Sequence, residues 1–170
     1  MEDIKRSPVA VGPQDGQSLS IMGGTYRILA SGSETGGEFA AIEMLIPPGG
    51  GPGPHAHASF QETFFVVDGE VEVKSEAGVY TAQKGAYIVI HKGGIVHCFK
   101  NKTDKMAHLL CTVVPAGLDD LFKEIGKPVK WGEFLPPPPM DRETIEKLIA
   151  VNEKYGQKAF PPNYLDGVTA

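Results

Sequence analysis

Between residues 26 and 115 the apolar residues fall in short runs, several alternating with polar ones, and Gly, Pro and Asp-Gly interrupt them. Alternation sends successive side chains to opposite faces of an extended chain, and many short strands at such spacing build a sandwich or barrel. The pattern predicts strands at 26–30, 39–46, 62–67, 71–74, 79–83, 87–90, 97–100 and 108–114. The first 20 residues are rich in Gly, Pro, Gln and Ser, and their scattered apolar residues suffice for one extra edge strand.

Beyond Pro115 the period changes. Leu118, Leu121, Phe122 and Ile125 recur at helical spacing, and Gly126 stands where a C-terminal cap ends such a turn. A second helix is expected to start at Asp141, whose carboxylate can accept from the unpaired amides of the first turn. Ile145, Leu148, Ile149 and Tyr155 then share a face before Gly156. The four prolines at 136–139 lack amide donors and form a stiff extended spacer. Neither helix can bury its stripe alone, so each is expected to pack on the barrel, on the other helix or on a second subunit; the second helix or the proline spacer is equally placed to close the barrel mouth as a lid. The expected organisation is an N-terminal arm at 1–25, a barrel at 26–115 and a helical tail at 116–170.

At 170 residues with no internal repeat, the chain has room for one domain with a continuous core. The net charge of −5 is spread over interspersed acidic and basic residues, which gives no surface for tracking phosphates and argues against nucleic acid. No apolar run approaches the roughly 18 residues of a membrane span, and the start of the chain is charged, so a cytoplasmic location is the expectation. Cys98 and Cys111 lack C-x-x-C spacing and read as buried free thiols.

The chemistry concentrates in the stretch from Gly49 to Glu62. His55 and His57 are two apart, so extended chain presents both imidazoles on one face. Asp68-Gly69 is the favoured dipeptide of a two-residue hairpin, and such a turn would set Val66 opposite Val71 and Glu62 opposite Ser75. Glu70, Glu72 and Lys74 then mark the solvent face, which leaves Glu62 in the inward phase with Phe64, Val66, Val71 and Val73. A buried carboxylate costs several kcal/mol unless it is paired, hydrogen-bonded or metal-bound. No Lys or Arg shares its phase, and His97 opens a later strand after a Gly-rich corner. His55, His57, Glu62 and His97 together make an N3O donor set, suited to Fe, Mn, Co, Ni, Cu or Zn rather than Ca or Mg. His91, in the corner, and His108, on the last long strand, are secondary candidates for a pocket. Phe64, and Phe99 in phase with His97, are candidates for an apolar wall.

These residues resemble the two motifs of the cupin superfamily. Gly49, His55, His57, Glu62 and Gly69 fit G-x5-H-x-H-x(3,4)-E-x6-G without a gap, and Gly85, Gly94, His97 and Asn101 fit G-x5-P-x-G-x2-H-x3-N. In the second motif His91 replaces the usual proline and the corner is one residue longer. The resemblance implies an all-β fold, a double-stranded β-helix or jelly-roll barrel, here with two C-terminal α-helices and a metal inside one mouth. The tail, from Val114-Pro115 through Tyr155-Gly156, is similar to that of bacterial quercetin dioxygenase-like cupins.

That similarity implies a metal-dependent dioxygenase acting on a flavonol or another small enol or phenol, with Glu62 as catalytic base and dioxygen as co-substrate. A non-oxidative cupin isomerase or lyase and a small-molecule-binding cupin without catalysis remain the alternatives, since one barrel hosts many chemistries. The arm and the two helices in need of apolar partners suggest a homodimer.

Overall fold

The computed structural model describes residues 7–169; the first six residues of the expected arm, and Ala170, lie outside the described residues. In chain order its elements are β1 (Gln17–Ile21), β2 (Gly24–Ala30), α1 (Gly32–Thr35), β3 (Ala40–Ile46), β4 (His55–His57), β5 (Gln61–Asp68), β6 (Glu70–Ser75), β7 (Gly78–Gln83), β8 (Tyr87–Ile90), β9 (His97–Lys100), β10 (Ala107–Val114), α2 (Leu118–Ile125), β11 (Lys127–Pro128), α3 (Arg142–Lys154) and β12 (Gln157–Ala159). The strands form an antiparallel jelly roll of two sheets, ordered β11-β1-β2-β3-β10-β5-β8 and β12-β4-β9-β6-β7.

Strict alternation explains the layering. In β3 the buried residues are Ala40, Ile42, Met44 and Ile46, and in β10 Ala107, Leu109, Cys111 and Val113, so each strand gives one phase to the core between the sheets. The β3–β10 register sets Met44 opposite Leu109 and Ile42 opposite Cys111, which keeps these apolar residues in layers. Part of the segment expected as an arm enters the sheet: β1 pairs along its length with β2, and its Leu19 and Ile21 are buried.

The hairpin expected at Asp68-Gly69 does not form. β5 pairs with β10 and β8, whereas β6 pairs with β7 and β9, so the chain passes from one sheet to the other at Gly69. Gly69 has φ +77°, and a Cβ there would lie 2.7 Å from the Met106 carbonyl oxygen. The dipeptide thus serves a tight corner between sheets. Glu62 still faces the core, at 3% exposure, because alternation belongs to a strand whichever neighbour it pairs with.

Both expected tail helices are present. Asp141 accepts from the Thr144 amide at 2.8 Å and caps α3. Gly126 follows α2 in an extended conformation, φ −81°, rather than the left-handed one of a glycine cap. Its lack of a side chain admits β1, since a Cβ would stand 2.7 Å from Ile21 Cδ1. The prolines at 136–139 form no regular element.

Asn101 fastens the corner above the site. Fully buried, it donates from Nδ2 to the Ile46 carbonyl at 2.9 Å and the Lys105 carbonyl at 2.7 Å, and its Oδ1 accepts from the Thr103 amide and hydroxyl. Replacing Asn101 with Ala leaves these groups unpaired, and a loss of about 2–4 kcal/mol in urea-unfolding free energy is expected, with the native circular dichroism spectrum retained.

Candidate metal centre

Four side chains from three strands converge inside the barrel. His55 and His57 come from β4, Glu62 from β5 and His97 from β9, and one donor atom from each lies within 4.8 Å of the others. The β4–β9 register sets His55 opposite His97, so their rings pack with centroids 4.4 Å apart. His57 stacks on Phe60 at 4.2 Å and 15°. All four residues are buried.

Backbone carbonyls fix the tautomers. Nδ1 of His55 lies 2.8 Å from the Gly53 carbonyl, Nδ1 of His57 2.9 Å from that of Phe60, and Nδ1 of His97 3.0 Å from that of Ile95. A carbonyl oxygen only accepts, so each Nδ1 carries the hydrogen, and each neutral ring turns an Nε2 lone pair inward. The Glu62 carboxylate stands among these lone pairs, with Oε2 3.3 Å from His57 Nε2 and 3.6 Å from His97 Nε2. His97 Nε2 is buried without any hydrogen bond.

Lone pairs and a carboxylate facing each other in a dry interior repel unless a cation lies between them. Donors bound to a transition ion at about 2.1 Å stand roughly 3 to 4 Å apart, close to the spacing seen here. Three imidazoles with one carboxylate suit such an ion, and the carbonyls holding each Nδ1–H are the usual outer support of metal-binding histidines. The cluster fits one divalent transition metal.

Electrostatics around the cluster favour deprotonated ligands. Burial, with His97 adding to it, lowers the His55 imidazole from 6.5 to about 4, so the ring is neutral at pH 7. Burial alone would raise the Glu62 carboxyl, but without an ion, protons on the facing His57 and His97 Nε2 atoms outweigh it and hold Glu62 below the ordinary carboxylate range, a place that a bound cation would take over. Cys111 donates from Sγ to Glu62 Oε1 at 3.4 Å, and burial followed by the Glu62 charge raises that thiol well above its usual value. The thiol therefore acts as a donor that orients the carboxylate.

His55 and Glu62 open onto a cavity of about 560 Å³. Phe64 and Phe99 line it and meet edge to face at 5.1 Å, and Met44, Tyr26, Phe122 of α2 and Ile149 of α3 enclose it further. Among the described residues no Lys or Arg side chain is part of the lining. Burial, and then the nearby Cys111 and Glu62, raise the Tyr26 phenol.

Two secondary candidates lie elsewhere. His108 faces out of the core, Nε2 2.6 Å from Glu43 Oε1, in a cluster where Glu43 also pairs with Arg27 and Arg27 lies 4.9 Å over the Trp131 ring. His91 is exposed in the corner loop. Closure of the barrel mouth was one of the places expected for the second helix, and α3 lines the cavity, whereas the contributions of Tyr26 and the tail strand escaped the reading of the sequence; for Tyr26 the available signal was its phase with the buried Ile28 in β2.

The depressed His55 value carries a pH dependence. Between about 6.5 and 4 the unfolded chain binds this proton while the folded one resists it, so stability is complete above pH 6.5 and falls as the pH drops toward 4. Urea titrations of chelator-treated protein across that window are expected to show this slope, and His55→Gln, which cannot titrate, is expected to flatten it.

Comparison with known proteins agrees with the geometry at the level of fold. Residues 42–113 match the family model described as Cupin domain. No curated protein matches the chain. Among solved structures, a sugar phosphate isomerase of the cupin superfamily from Silicibacter pomeroyi is 20% identical with TM-score 0.54, over 64% of this chain and 77% of that one. A protein described as a predicted oxalate decarboxylase from Thermotoga maritima is 18% identical with TM-score 0.55, over 64% and 99%. Ectoine synthase from P. lautus is 18% identical with TM-score 0.53, over 74% and 86%. Their differing names leave the chemistry to be argued from the site, and among the described residues no helix is long and apolar enough to cross a membrane. The architecture of this chain is the cupin jelly roll, with its cupin-domain sequence match at residues 42–113 and a four-residue candidate metal centre inside the barrel.

Proposed function

We propose that this chain is a metal-dependent dioxygenase of the quercetin dioxygenase-like cupin type, acting on a flavonol or another small enol or phenol. His55, His57, Glu62 and His97 hold one divalent transition ion. The observation that carries the reading is the join between a carboxylate-bearing donor set and an apolar cavity of about 560 Å³ whose described lining residues include no Lys or Arg. A planar, uncharged aromatic substrate suits such walls. A phosphorylated sugar or a dicarboxylate would find the ion as its cationic partner but no Lys or Arg among the described lining residues to hold its remaining charge.

Bound there, the ion would supply Lewis acidity and adjacent positions for a substrate oxygen and dioxygen. The protein's own groups do the rest. Glu62 accepts the proton of the substrate hydroxyl, and the Cys111 thiol on its Oε1 keeps Oε2 turned toward the histidines. Phe64 and Phe99 present ring edges and faces to the substrate plane and keep water from the reacting centre.

Reconstitution with iron, manganese, cobalt and nickel in turn, followed by oxygen-electrode measurement with quercetin, is expected to give consumption above the metal-free protein with at least one ion. Absence of uptake with all four would end the oxygenase reading, and turnover of a substrate without oxygen would favour an isomerase or lyase. His57→Ala, which removes one donor of four, is expected to reduce bound metal at least tenfold by elemental analysis.

A further inference from the structure

Tyr26 brings to the cavity wall a hydroxyl that no described residue engages. It projects from β2 beside its register partner Met44, which lines the same cavity. Its ring is held edge-on against Phe122 of α2, centroids 5.0 Å apart at 85°. The residue is only 7% exposed, yet among the described residues its hydroxyl makes no hydrogen bond.

The other polar side chains of the lining differ in this respect. His55 is tied to Gly53, and Glu62 accepts from Cys111. Gln157 donates to Asn152 Oδ1 at 2.7 Å, and Asn152 donates to the Leu148 carbonyl at 2.7 Å. A phenol held at a cavity wall with no partner from the described residues is free to donate to a ligand that brings an acceptor.

We propose that Tyr26 is a specificity-determining residue that donates its hydroxyl hydrogen to a neutral carbonyl oxygen of the substrate. The proposal rests on the oxygenase reading and narrows it. The substrate class is an apolar ring compound whose acidic enol hydroxyl meets Glu62 while a neighbouring carbonyl meets Tyr26. Among the described residues the lining offers charged carboxylates and phosphates no Lys or Arg. Rings lacking the carbonyl leave the phenol unpaired.

Tyr26→Phe keeps the ring against Phe122 and deletes only the donor, so the test uses the metal-loaded full chain and anaerobic titration with quercetin, followed by its absorption band. The variant is expected to retain metal content and melting temperature and to bind quercetin at least about tenfold more weakly, while its affinity for a 3-hydroxyflavan without the ring carbonyl stays that of the parent. Equal quercetin affinity in parent and variant, or an equal loss for both compounds, would overturn the role of Tyr26 and leave the oxygenase reading standing. The parent gives a second measure that needs no variant: it should prefer quercetin to the flavan at least tenfold, and no preference overturns the proposal. A parent that neither binds nor turns over quercetin overturns the oxygenase reading and this inference with it.

Discussion

A carboxylate buried at 3% exposure among three imidazoles whose inward nitrogens carry lone pairs is the constraint to which the surrounding structure answers. Such a grouping is unstable as drawn from its charges alone, and its natural complement is a cation held by all four. The protonation pattern is set by backbone. Each Nδ1–H points at a carbonyl two or three residues away in the chain, so the local course of the loops before β4, before β5 and before β9 determines which nitrogen faces the site. Rotating any one ring would break its Nδ1–H bond to the backbone carbonyl, which holds the donors in place even without an ion.

The rest of the barrel protects this arrangement from competing chemistry. Cys111 is a small inward residue of β10 whose thiol is kept protonated by burial and by the Glu62 charge, so it offers the carboxylate a hydrogen instead of a rival thiolate ligand. The cationic side chains that could neutralise Glu62 stay outside: Arg27, the buried one, spends its guanidinium on Glu43 and on the Gly12 and Asp15 carbonyls over the outer face of the sheet. With no lysine or arginine among the described residues of the cavity, the Glu62 charge is left to the donor cluster.

Much of this was legible in the sequence because alternation is a local property. The eight expected strands appear within two residues of their bounds, and the phase that put Glu62 inward survives although the hairpin used to find it does not exist. Asp-Gly announces a tight turn; it does not say whether the next strand pairs with the last or crosses to the facing sheet. His108 was legible too, since Leu109, Cys111 and Val113 are the apolar phase of its strand and it belongs to the other. What could not be read were β4, β11 and β12, two or three residues long, too short to display a period and defined only by partners distant in sequence. The roof of the cavity shared that fate, because helical spacing says that Ile145 and Ile149 form a stripe but not what the stripe covers.

The shortness of β4 makes the tail part of the site. On one side β4 meets β9 in register only at His55 and His97; on the other, β12 pairs with all three of its residues, Gln157 with His57 and Ala159 with His55, and the Phe160 amide extends the ladder to the Pro54 carbonyl. The strand bearing two of the four donors is therefore held along its outer edge by the tail. Only Tyr155 and Gly156 separate β12 from α3, whose Ile145, Leu148 and Ile149 line the cavity mouth. An outward movement of α3 must either be absorbed at Gly156, which has φ +76°, or carry β12 and the edge of β4 with it. Cover and donor strand thus form one hydrogen-bonded unit, and a ligand that presses on the helix acts on the same ladder that aligns His55 and His57.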